Sequence, residues 1–257
     1  DDGTVVPCEE KYTTGMQLQK ELDVESDALD DNYTPYQIEF PLDAGCRKKI
    51  SIVCTIEDAY EKDAFATAAA EMARFDALEK KAGYHDELAE TLTIAADHFL
   101  AYRQSTGLMT VLAGLPWFTD WGRDTMIALT GLTLATGRYQ DARDILTTFA
   151  RYVHHGMVPN MFPDEGTAPL YNTADASMWY FYAVGKYLDY TGTPEDYAFV
   201  QETIYPKLKE IIAAYEHGTD FSIYMEEDGL IHAGSGLDQV TWMDVRVGDW
   251  VATPRHG

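Results

Sequence analysis

Residues 117–129 read Trp117-Phe118-Thr119-Asp120-Trp121-Gly122-Arg123-Asp124-Thr125-Met126-Ile127-Ala128-Leu129, a cluster of aromatic and charged side chains that runs straight into an apolar stretch. The apolar stretch predicts a helix from about Asp124 to Ala135, stopped at Gly137. Two more segments share this construction. Tyr171-Asn172-Thr173-Ala174-Asp175 leads into a helix expected over roughly Thr173–Tyr190. Thr241-Trp242-Met243-Asp244, followed by Gly248-Asp249-Trp250, is expected to lead into a further one.

The segments around them are helical too. Leu88, Leu92, Ala95, Phe99 and Tyr102 recur at three- and four-residue steps, which predicts one apolar helix face after Tyr84. Ile145, Leu146, Phe149 and Val153 form the stripe of the next helix, with Gly156 expected as its C-cap. Thr193-Pro194-Glu195-Asp196 carries the N-cap residue, first-position proline and first-turn acids of another. Pro206 should split or kink that helix before Gly218 ends it. The helices entered at Asp124 and Thr173 are apolar nearly all round, the latter through Met178, Trp179, Phe181, Tyr182, Val184 and Tyr187. Those flanking them carry many charges. Concentric inner and outer helix rings require this alternation, although an up-down bundle with central helices gives a similar one. Where every second helix runs the same way, Asp124, Asp175 and Asp244 gather at one end.

Upstream the pattern changes. Residues 1–57 are turn-rich, with strands expected at Tyr36–Pro41 and Lys49–Thr55, the second alternating Ile50, Ile52 and Cys54 against Ser51 and Val53. Two strands are marginal in water, so this segment reads as the end of a β-rich domain. Residues 58–82 hold a charged, alanine-rich helix from Asp63 to Lys81, expected to link it to residues 83–257.

The charge balance excludes some partners. Nineteen basic against forty-three acidic residues give −24, which repels nucleic-acid phosphates and anionic membranes but not a neutral polymer. No apolar run approaches the roughly 18 residues of a membrane span. Cys8, Cys46 and Cys54 form no CxxC pair, which suggests neither a zinc site nor a disulfide framework and fits a cytoplasmic setting. The chain starts at Asp1, which leaves the native N-terminus and any signal peptide open. There is no HExxH, phosphate loop or dinucleotide fingerprint, so no metal and no cofactor is expected. His154 and His155 are adjacent and read as a helix C-terminal pair.

Asp124 and Asp175, taken singly, sit where N-caps and first-turn acids sit. Trp121, Trp179, Trp242 and Trp250 could each be core aromatics. The combination points elsewhere. Aromatic faces cover the apolar face of a pyranose, and Arg or Asp groups read paired hydroxyls. Tryptophan and acid, beside an arginine in two of the three segments (Arg123 and Arg246), have the composition of a sugar site.

These motifs, W-F-T-D-W-G-R-D-T-M-I-A-L, Y-N-T-A-D-A-S-M-W-Y and T-W-M-D-V-R-V-G-D-W-V-A-T-P-R, resemble the amylo-α-1,6-glucosidase domain of bacterial and archaeal glycogen debranching enzymes over about residues 84–257. The stretch Y-T-P-Y-Q-I-E-F-P-L resembles the close of the β-rich domain preceding it in that family. The resemblance implies a mainly α fold, an α/α toroid of the six-hairpin glycosidase type, with residues 83–257 as its first half. It also implies inverting hydrolysis of α-1,6-linked glucose stubs on glycogen or another branched α-glucan. Asp244 would be the general acid. Arg123 and Asp124 would hold the terminal glucose, and Asp120, Trp121, Asn172, Asp175, Trp179, Trp242 and Asp249 would complete the substrate site. An inverting pair needs carboxyls roughly 6.5–9.5 Å apart. A helix N-terminus at Asp244 would favour its ionised form and oppose the role.

The base in that family is a glutamate of the second half, expected beyond Gly257; Glu226 and Glu227 fall in a polar turn before Gly229. The chain alone is therefore expected to be an incomplete catalyst. Two other readings stay open: a different six-hairpin glycosidase of glucoamylase, trehalase or mannosidase type, and a glucan-binding helical domain without turnover. A repeat scaffold ranks last, because the hairpins share no recurring sequence.

Overall fold

Helices form where apolar residues recur every three to four positions, and short hairpins fill the gaps between them. The computed structural model describes residues 3–23, 28–56, 58–115, 117–163 and 168–253; Pro254 and Arg255, the end of the third motif, lie outside these. The chain divides into two units, Asp1–Ala68 and Ala69–Gly257.

In the first unit, strand β1 (Thr4–Gln17), a short helix α1 (Gln19–Asp23) and strand β2 (Leu29–Glu39) form an antiparallel pair, with Thr4 opposite Glu39 and Gln17 opposite Leu29. The expected Tyr36–Pro41 strand is the end of the longer β2. The expected Lys49–Thr55 strand is absent. Its alternation survives, but Ile52 is 79% exposed and no neighbouring strand supplies a ladder, so the pattern has nothing to pair with.

Helix α2 (Ala64–Ala82) covers the charged, alanine-rich segment and carries into the second unit. Helix α3 (Glu87–Asp97) starts at Asp86, whose carboxylate accepts from the Ala89 amide at 3.1 Å. It then stops earlier than the apolar spacing predicts. Leu100–Arg103 (β3) and Leu108–Val111 (β4) form a hairpin around Gln104-Ser105-Thr106-Gly107, so Phe99 and Tyr102 leave the helix, and Leu88 and Leu92 are exposed. Turn chemistry overrides helical spacing there. Asp97, at the end of α3, is buried between two arginines: it accepts from Arg74 at 2.6 Å and from Arg138.

The central element is strand β5 (Asp120–Trp121) running into helix α4 (Gly122–Leu129), which continues as a π turn over Thr130–Leu134. Helix α5 (Tyr139–Arg151) follows; Ile145, Leu146 and Phe149 are fully buried, as its stripe requires. It ends before Gly156. That glycine sits instead at φ 73° in a turn where a Cβ would lie 2.1 Å from the Ala214 methyl, so it lets the turn pack against a later helix.

Strand β6 (Met161–Phe162) pairs with β5, and helix α6 (Ala176–Tyr190) buries Tyr180, Ala183, Val184 and Tyr187 against α4 and α5. Burial of α6 on all sides does not hold: Met178 and Tyr182 are each 45% exposed. Helix α7 (Pro194–Phe199) has the expected start, with Thr193 and Asp196 bonded reciprocally as a capping box. A π turn at Val200–Ile204 then leads into α8 (Tyr205–His217). The helix is thus split just before Pro206, whose missing N–H falls in the first turn of α8.

The C-terminal part is extended. Tyr224–Met225 (β7) pairs with Ile231–His232 (β8), and Arg246–Val247 (β9) pairs with Trp250–Val251 (β10). The helix expected from Gly248 is therefore a hairpin, with Gly248 at φ 59° in its turn. The fold is mainly α. No helix among the described residues is long and apolar enough to cross a membrane.

Candidate active site

Why α4 begins at residue 122 is a matter of close approach. A Cβ on Gly122 would lie 2.0 Å from the Pro159 carbonyl oxygen, and the Gly122 amide donates to the Asn160 carbonyl at 2.8 Å. Only glycine allows the helix to start against that backbone. Arg123 and Asp124 then occupy the first turn.

Arg123, 9% exposed, donates from Nε to Asp175 Oδ2 and from Nη2 to Asp175 Oδ1, both at 2.7 Å, with Nη2 also reaching Thr173 Oγ1 at 3.2 Å. The ion pair brings the starts of α4 and α6 together, as the alternation of helices implies. Asp175 stands at the N-cap position of α6 yet makes no side-chain cap bond. Thr173 does that work, its hydroxyl accepting from the Ala176 amide at 3.3 Å. Burial would by itself raise the Asp175 pKa, but the bonds and charge of Arg123, with the Thr173 hydroxyl, leave it below the ordinary carboxylate value. Burial likewise acts to lower the Arg123 pKa; the Asp175 bonds, with the fields of Asp175, Asp244 and Asp124, raise it on balance.

In front of this pair lies a cavity of about 370 Å³ lined by Ala113, Phe118, Trp121, Arg123, Asp124, Trp242 and Asp244. Trp121 and Phe118 meet edge to face with centroids 6.3 Å apart. Asp124 is exposed, Trp242 is 60% exposed, and Asp244 is half-buried in a loop rather than at a helix N-terminus. Two carboxylates, a guanidinium and two indoles face one space, which can hold a polar ring by its hydroxyls and its apolar face.

The remaining expected site residues lie elsewhere. Asp120 is fully buried outside the cavity lining, bound two-fold by Arg103 and accepting from the Thr110 hydroxyl at 2.9 Å. Trp179 packs against the core and against Tyr182. Asp249 is exposed in the β9–β10 turn, away from the cavity lining. Asn172 bridges loops: its Oδ1 accepts from Asn160 Nδ2 and its Nδ2 donates to the Gln239 carbonyl. Ala113 and Phe118 line the cavity without having been singled out. Phe118 lies inside the first motif, where its neighbours drew the attention, whereas nothing in the sequence marks Ala113. Among the described residues no cluster of three potential ligands is placed to hold a metal.

The family model described as amylo-alpha-1,6-glucosidase matches residues 94–257. The chain belongs to this family. All the cavity residues fall within the matched amylo-alpha-1,6-glucosidase segment. The chain is also similar to the glycogen debranching enzyme of Saccharomyces cerevisiae (strain ATCC 204508 / S288c), at 29% identity over 210 residues. That match covers 60% of this chain and 14% of the yeast protein, so the chain spans a small fraction of its relative's length.

Proposed function

We propose that this chain supplies the acid side of an inverting hydrolysis that removes α-1,6-linked glucose stubs from glycogen or a similar branched α-glucan. The observation that carries the reading is the convergence of Arg123, Asp124, Trp121, Trp242 and Asp244 on one cavity, from two segments more than a hundred residues apart. The family membership and the name of the yeast relative support the substrate class.

In this reading Asp124 and the Nη1 edge of Arg123, the edge that Asp175 leaves unused, take hydroxyls of the terminal glucose. Trp121 and Trp242 cover its apolar face. Asp244 protonates the departing glycosidic oxygen while water attacks from the opposite face, activated by a second carboxylate. We assign that base to a glutamate outside residues 1–257 and the helices to the first part of an α/α toroid.

The test is release of free glucose from a limit dextrin carrying single α-1,6-glucosyl stubs, by the full-length protein and its Asp244→Asn variant. The expected result is release by the unsubstituted protein and a loss of two orders of magnitude or more in the variant, with glucan binding retained. No release from the stubs, with turnover of linear α-1,4 chains or trehalose, would move the site to another six-hairpin glycosidase. Binding without turnover would leave a glucan-binding domain.

A further inference from the structure

The loop that carries Trp242 and Asp244 belongs to no helix and to no strand before β9, so something outside it must hold it against α4. A chain of hydrogen bonds runs between the two walls of the cavity. Gly122, the first residue of α4, donates its amide to the Asn160 carbonyl at 2.8 Å. The Asn160 side chain donates from Nδ2 to Asn172 Oδ1 at 3.3 Å, and Asn172 Nδ2 donates to the Gln239 carbonyl at 3.4 Å. One residue on, the Ala174 amide donates to the Val240 carbonyl at 2.7 Å.

Asn160 is 2% exposed and lies outside the cavity lining. A buried amide is costly unless it is hydrogen-bonded, and of the two ends of this one Nδ2 is bonded while the buried Oδ1 is not. Here its backbone sets the start of α4, and its side chain reaches, through Asn172, the segment that ends in Asp244.

We propose that Asn160 is a positioning residue that, with Asn172 as its relay, sets the distance between Arg123–Asp124 on α4 and Asp244 on the facing loop. Its carbonyl fixes Gly122 and its side-chain amide reaches the Gln239 carbonyl through Asn172, and displacement of a catalytic group by about 1 Å costs on the order of 100-fold in rate. The kinetic part of this inference rests on the function proposed above; the structural part does not.

The experiment compares the full-length protein with Asn160→Leu, and with Asn172→Leu as a second variant at a less buried position. Amide hydrogen exchange at Ala174, whose acceptor is Val240, reports docking of the loop, and the Tyr180 amide in the core of α6 controls for global unfolding. Both variants are expected to speed Ala174 exchange by about tenfold or more with Tyr180 unchanged. On α-1,6 stubs kcat should fall about 10- to 100-fold with KM within about threefold. On α-glucosyl fluoride, whose leaving group departs without protonation, the loss should be at least about threefold smaller than on the stubs, because displacement of Trp242 affects both substrates and displacement of the acid only one.

Ala174 protection at the unsubstituted level in both variants would overturn the strut. Faster exchange with equal losses on both substrates would overturn the claim that it acts through Asp244. An unsubstituted protein inactive on both substrates would sink the proposed function, and Ala174 exchange would still decide the strut.

Discussion

Arg123 on α4 and Asp175 at the start of α6 form a two-pronged ion pair, Nε to Oδ2 and Nη2 to Oδ1, each at 2.7 Å. It locks the starts of two core helices together and engages one edge of a guanidinium that also lines the cavity. Asp175→Ala leaves the arginine buried and unpaired. The expected loss is about 2 kcal/mol, below the 3–5 kcal/mol of a fully buried pair because the Asp175 side chain remains 36% exposed. Arg123→Lys, with Asp175 in place, should also lose stability, since an ammonium cannot reproduce the fork. Urea unfolding midpoints check both.

Asp120 offers a sharper separation of scaffold from site. Its carboxylate is fully buried on Arg103, so Asp120→Asn should destabilise the fold by about 3–5 kcal/mol. Glucan affinity of the protein that remains folded should stay within about twofold. A selective loss of affinity at unchanged stability would return Asp120 to the site.

Asp97 should mark the acid limb of stability. Burial pushes its pKa up, but the bonds from Arg74 and Arg138 outweigh that and hold it below the ordinary 3.8. A carboxyl depressed by folding binds fewer protons folded than unfolded. Its contribution is therefore complete above about pH 5 and is lost as pH falls through 3.8 toward the folded value. Asp97→Asn should remove up to about 1.4 kcal/mol per pH unit of slope in that window and none near pH 7. Unfolding free energies measured from pH 7 down to 3 decide it.

Trp242 stands 60% exposed at the cavity. Its truncation in Trp242→Ala should weaken binding of a branched dextrin by about tenfold, equivalent to roughly 1.4 kcal/mol, while the thermal midpoint holds. Calorimetric titration reads the first and a melting curve the second; a stability loss without an affinity loss would make Trp242 a packing residue.

Much of the fold was open to reading because the signals involved are local. The α5 stripe and the Thr193 capping box depend on residues within a turn or two of one another, and both stand where the spacing places them. The structure departs from local patterning where distant partners decide. Lys49–Thr55 alternates but meets no second strand among the described residues, and Arg246–Val251 fold as a hairpin instead of a helix.

The sequence by itself determined a mainly α chain, its family, and three polar-aromatic segments, of which the first and the third supply most of the residues facing the cavity. Which member of each segment points inward only tertiary packing decided. Asp120 and Asp124 are four residues apart in one motif, yet Arg103 draws the first into the scaffold while the second opens onto the cavity. Asn160 has no motif at all, and its place follows from the carbonyl and the amide it presents to chains far away in sequence. A side chain's direction is set by the partner that satisfies its charge or hydrogen bonds, and that partner is chosen by the fold.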